Sequence, residues 1–125
     1  MDSESLAAAR VLEALSRASE ILAGLRHPFV RSELFSYFLP DAGARVGTTF
    51  TLPDGREVRF EVSITASAAA FLVEGAITAE SDVLLELPRK SMPSVHDGLA
   101  VFNDYVAEVA APAVRLIDQL LDEIV

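Results

Sequence analysis

Two stretches hold side chains that could do chemistry. The first, Arg89–Val106 (RKSMPSVHDGLAVFNDYV), sets His96 beside Asp97, with Asp104 and Tyr105 two turns on. A histidine oriented by a carboxylate is the core of general-base chemistry, but the pair must converge. Neighbours on a helix point about 100° apart, so neither His96 nor Asp97 can orient the other. Ser94, three residues before Asp97 and just ahead of an apolar-periodic run, has the form of a capping box, in which the serine accepts from the Asp97 amide and the carboxylate reaches back. The pair is therefore read as a helix start rather than a catalytic dyad. The other histidine, His27, precedes Pro28 and has no ligand-like companion four residues away, so it is read as structural.

The second stretch is a set of strands whose alternation places Glu61, Glu74 and Glu86 on one face, with Glu74 opposite both of the others. Three carboxylates in a row could meet a cation or a basic partner. Calcium wants about six to eight oxygens, more than three glutamates on a flat pleat supply. A screened, exposed row is the plainer reading, and no metal or other cofactor is expected. The chain contains no cysteine, which excludes thiolate chemistry and disulfides and suits a reducing compartment.

Two long helices and a meander must position these groups. From Ser3 to Ala23, Ala7, Val11, Leu15, Ala18 and Leu22 recur at steps of three and four, opposite Arg10, Glu13, Arg17 and Glu20. Asp2 or Ser3 can cap this helix, and Gly24 is expected to end it in the left-handed conformation. Residues 28–39 fit either a short helix opening at Pro28 or an extended edge, with the helix preferred. Four strands follow: Val46–Leu52, Val58–Ile64, Phe71–Ile77 and Val83–Leu87. Pro53, Asp54 and Gly55 make a tight hairpin loop that pairs Phe50 with Val58 and Val46 with Val62. Matching apolar faces then pairs Ile64 with Phe71, Val62 with Val73 and Val73 with Leu87, and Pro88 closes the last strand.

From Leu99 to Ile124 apolar residues again recur at helical spacing. Their arc widens to about 160°, more than the roughly 100° that packing on one surface needs, so part of it is free to meet a partner. Pro112 cannot donate to the Glu108 carbonyl, and a kink is expected at Ala110 to Pro112. Opposite the arc, Asp97, Asp104, Glu108, Asp118 and Asp122 form an acidic face. Same-sign pairs four residues apart cost a few tenths of a kcal/mol each, a penalty that a basic partner would remove.

The expected fold is one α+β domain over residues 1–125: an N-terminal helix, a four-stranded antiparallel meander and a long kinked C-terminal helix, with the helices packed on one face of the sheet. With 125 residues, 51% hydrophobic, the chain can bury one real core. Its net charge of −9 argues against nucleic acid. The acidity is uneven, with nine acids against seven bases through residue 62 and ten against three thereafter. No run is long enough to span a membrane, and the acidic N-terminus is unlike a secretory signal, so a cytoplasmic location is expected. Nine of the ten basic residues are arginine, as a GC-rich bacterial genome would favour.

In layout and charge the chain is similar to small acidic bacterial secretion chaperones and immunity proteins, although no motif carries over. That likeness implies a non-catalytic protein-protein interaction module. The wide arc adds the expectation of a homodimer, and the acidic face that of a basic partner. The alternative is a small-molecule-binding or enzymatic cup, with Phe29, Tyr37, Phe38, Phe102 and Tyr105 lining a cavity and His96 or Asp104 supplying a polar contact.

Overall fold

A computed structural model describes residues 3–39, 43–66 and 70–124. The elements run α1 (Ser3–Ala23), β1 (Arg31–Leu39), β2 (Gly43–Thr51), β3 (Glu57–Ala66), β4 (Phe71–Ala79), β5 (Asp82–Met92), α2 (Val95–Ala110) and α3 (Ala113–Ile124). The fold is α+β, and the sheet is an antiparallel meander in the order β1-β2-β3-β4-β5.

It has five strands where the sequence suggests four. Residues 31–39 form the extra strand, not a helix, and pair along their whole length with β2. The segment RSELFSYFL is rich in aromatics, which fit a pleat better than a helix. Its apolar i, i+4 pair, Leu34 and Phe38, suits either period.

The β2–β3 register follows the hairpin chemistry. Gly55 takes a positive φ of 92°, Gly55 N–H donates to the Leu52 carbonyl at 2.9 Å and Leu52 N–H to the Arg56 carbonyl at 2.8 Å. Asp54 fastens the turn, accepting from the Arg56 amide at 3.0 Å and from its guanidinium at 2.7 Å. The backbone bond, more than the guanidinium, lowers the Asp54 pKa below the usual carboxylate value. Phe50 pairs with Val58 and Val46 with Val62, as the loop dictates.

Farther on the expected registers slip, by two residues between β3 and β4 and over Gly75–Ile77 of β4, and by three or one beyond the register shifts, so that Val73 meets Lys90 rather than Leu87. Ile64 meets Val73 rather than Phe71, Val62 meets Gly75, and Gly75 meets Leu87. A shift of two leaves every side chain on its own face, so apolar matching alone cannot detect it. β5 also runs past Pro88 to Met92. A register shift between Val73 and Gly75 puts Pro88 and Arg89 together opposite Glu74, a bulge on an edge strand that asks no ladder donation of the proline.

The core gathers alternate residues of the central strands: Val46, Thr48 and Phe50 of β2, Val58, Phe60, Val62 and Ile64 of β3, and Val73 and Ile77 of β4. Leu22 of α1, Phe102, Val106 and Val109 of α2, and Ala113, Ile117 and Leu120 of α3 belong to the same cluster. Gly75 lies under Tyr105 and Val109, and Gly98 comes so close to Phe71 that a Cβ there would stand 2.9 Å from the Phe71 Cβ.

The end of α1 differs from expectation, and its expected start at Ser3 is met. Asp2 lies outside the described residues. Gly24 is not left-handed, since Gly55 is the one positive-φ glycine among those described. Instead Gly24 N–H still reaches the Glu20 carbonyl at 3.1 Å, and Leu25 N–H closes on the Leu22 carbonyl at 3.1 Å. The buried Thr48 hydroxyl of β2 donates to that same carbonyl at 2.7 Å. A side chain from the sheet thus gives the Leu22 carbonyl a second donor beside the Leu25 amide.

At the C-terminus the long helix is bent. Ala111 and Pro112 separate α2 from α3, and Leu116 N–H restarts the ladder on the Pro112 carbonyl at 2.9 Å. Proline has no N–H to continue it, so the bend falls where the sequence places it.

Candidate functional site

Ser94 is the N-cap of α2, with extended backbone, and its hydroxyl accepts from the Asp97 amide at 3.1 Å. His96 is exposed beside it and borders a shallow depression of about 310 Å³ with Arg10, Glu13, Arg17 and Asn103. No carboxylate orients its ring among the described hydrogen bonds.

The aromatic residues of the expected cup do not converge. Phe29 and Phe38 are 80% and 73% exposed, whereas Phe102 and Tyr105 are buried in the core. Because residues 31–39 are a strand, side chains alternate between faces, and Tyr37 points away from Phe38. Tyr105 donates its hydroxyl to the Pro88 carbonyl, and Lys90 Nζ stands 5.6 Å from its ring centre.

The three glutamates are not in a row. Glu61 lies opposite Ala76, Ala76 opposite Glu86, and Glu74 opposite Ser63. The two-residue slip is the reason. All three still border one open cavity of about 320 Å³, together with Arg45, Ser63 and Arg89. Arg89 binds Glu74 at 3.0 Å, and Arg59 approaches Glu61 at 3.7 Å. The Glu61 Oε2 is buried without a hydrogen-bond partner among the described residues. Three carboxylates and two guanidiniums border the cavity, and no group of three ligating side chains among the described residues could hold a metal ion. Ser63 borders the same cavity, and no histidine is among its lining residues.

An arrangement absent from the sequence reading lies on the same sheet face, toward β1. The Phe35 ring lies across Gly47, whose missing side chain makes room for it. Arg59 sits over Phe35 at 4.7 Å, Tyr37 stacks on Phe35 at 6.1 Å, and Arg45 lies 5.9 Å over Tyr37 while donating to its hydroxyl at 3.1 Å. The series Arg59, Phe35, Tyr37, Arg45 is a cation–π ladder. Its signal in the sequence is the two-residue spacing of Phe35 and Tyr37, which a helical reading discards.

His27 is more than a local cap. Its Nε2 stands 2.6 Å from Asp118 Oδ1, 91 residues away, and its Nδ1 accepts from the Phe29 amide at 3.2 Å. Nδ1 is therefore the acceptor nitrogen and Nε2 carries the proton. With both nitrogens engaged the ring offers nothing to a substrate, and the pair ties α3 to the connection ahead of β1. Asp118 is accordingly committed, although sequence spacing groups it with the acidic face. Asp97, Asp104 and Glu108 are exposed on α2 and Asp122 on α3, beyond the bend.

Burial pushes the Tyr105 phenol above its ordinary value, with the Glu108 charge adding to the effect. A raised folded pKa means that the contribution is complete below the unfolded value of about 10 and is lost as pH rises through the folded one. Alkaline unfolding of the wild-type chain is therefore expected to steepen above about pH 10, and Tyr105→Phe to flatten that part of the curve. Denaturation midpoints from pH 8 to 11 measure it, and identical curves would show that Tyr105 ionisation does not contribute.

No helix among the described residues is long and apolar enough to cross a membrane. No protein-family model matches the chain, and no curated protein or solved structure matches it.

Proposed function

We propose that the chain is a non-catalytic protein-protein interaction module: a small acidic bacterial protein of the cytoplasm, one domain over residues 1–125, homodimeric and similar in role to a secretion chaperone or an immunity protein. One observation carries this reading. Four large apolar side chains, Phe29, Leu34, Tyr37 and Phe38, are exposed within ten residues, beside an open depression of about 400 Å³ that Arg31, Glu33, Glu57 and Arg59 border. Exposed apolar surface of that density marks a binding surface more readily than a solvated edge.

The helices cover one face of the sheet in this reading. The Gly98–Phe71 approach and the Thr48–Leu22 hydrogen bond support that arrangement. Asp104 and Glu108 supply the charge for a basic partner, whose attraction falls with salt. Cross-linking in source cells followed by mass spectrometry tests this part. A basic protein should be recovered with the wild-type chain and lost with the double variant Asp104→Asn, Glu108→Gln. Recovery of the same proteins by both chains would overturn the acidic docking face.

A further inference from the structure

The two edges of the sheet are built differently. β5 is broken by register shifts at Val73/Gly75 and Ile77/Thr78, and carries Pro88, Arg89 and Lys90. Proline, lysine and bulges are the devices that stop an edge from pairing. β1 has none of them. Its nine residues pair with β2 in unbroken register, with no proline or lysine, and no strand among the described residues pairs with its other side. Leu34 is 40% exposed, Tyr37 43% and Phe38 73%. Such a strand is a template for another.

We propose that β1 pairs antiparallel with β1 of a second copy, about a two-fold axis at Ser36, joining two five-stranded sheets into one. The inference rests on the homodimer reading above and names its surface. Opposed residues must share a face, so the axis has to pass through a residue pair. Centring it on Glu33 sets that carboxylate against itself, and centring it on Leu34 sets Glu33 against an aromatic ring. Centring it on Phe35 spends Leu34 on Ser36 and Phe38 on Ser32. Ser36 as centre pairs Leu34 with Phe38 on one face and Phe35 with Tyr37 on the other, each twice, and moves Glu33 out to the end of the contact, opposite Leu39.

Charge also selects this occupant. The chain carries −9, and two copies repel wherever their acidic surfaces meet. β1 carries one arginine and one glutamate, Arg31 and Glu33, and cancels. It lies in the half that holds seven of the ten basic residues. An apolar groove of about 380 Å³ between α1 and the edge, bordered by Leu12, Leu15 and Phe38, extends the contact beyond the strands.

Because the chain has no cysteine, a single introduced thiol reports on the axis. Opposed Cα atoms in such a pair lie ~4.5–5.5 Å apart, within the ~4.4–6.8 Å that a disulfide spans. Light scattering of the full chain across a dilution series should give twice the 13.4 kDa chain mass. Mild oxidation should convert Ser36→Cys almost completely to a covalent dimer, while Ser91→Cys on β5 stays monomeric under denaturing conditions. Phe38→Lys, at an exposed position, should fold with an unchanged circular dichroism spectrum and weaken association at least about tenfold. A dimer that Phe38→Lys leaves intact and Ser36→Cys does not cross-link overturns the edge but keeps the homodimer. A monomer at every concentration overturns both.

Discussion

Phe60→Ala should lower unfolding stability by about 3–5 kcal/mol, a large share of the roughly 5–15 kcal/mol that domains possess. Phe60 lies in the middle of β3, between Thr48 of β2 and Ile77 of β4, and is fully buried. Its ring meets Phe50 edge to face, at 5.4 Å between centroids and 74° between planes. Truncation removes that contact together with the burial, and leaves a void that rigid strands on both sides cannot collapse. Urea unfolding of both chains at one temperature measures the loss. Arg115→Ala, at an exposed site on α3, should stay within about 0.5 kcal/mol and serves as the control. A Phe60→Ala loss below about 1 kcal/mol would show that β3 is not central to the core.

Gly47→Ala should also destabilise, by about 1–3 kcal/mol, and here the sign is the test. Replacing glycine inside a strand ordinarily stabilises by roughly 0.5–1 kcal/mol, because the unfolded chain loses freedom. At Gly47 a Cβ would stand 2.4 Å from the Phe60 carbonyl oxygen and 2.5 Å from Phe35 Cζ. The ring can move, but the carbonyl belongs to the ladder and cannot without breaking it. In a Phe35→Ala background the methyl should therefore still cost stability. A gain in either background would mean that β2 and β3 are less closely joined at this point.

Both results turn on features of unequal legibility. Alternation along β3 reveals Phe60 as a core residue, since Val58, Phe60, Val62 and Ile64 repeat every second position. Gly47 gives no such signal: its role depends on Phe35, which reaches it only if residues 31–39 form a strand. The helical reading of that segment failed because Leu34 and Phe38 satisfy a helical period as well as a strand period, and local pattern cannot choose between them. Pairing with β2 chose. The same limit governs the glutamates. Their face follows from parity, but their row depended on a register that parity leaves open by multiples of two.

By itself the sequence determined what is written in short-range chemistry. That includes the α+β composition of helix, meander and helix, the Pro53–Gly55 turn and its register, the Ser94 cap, and the bend at Pro112. Each depends on residues within a few positions of one another, where backbone sterics and hydrogen bonding leave few choices. Tertiary structure decided the rest: the fifth strand, the slipped registers beyond β3, Thr48 closing the end of α1, and His27 reaching Asp118. The last two join residues 26 and 91 positions apart, and which distant partner satisfies a buried group depends on how the whole chain closes, which no local spacing encodes.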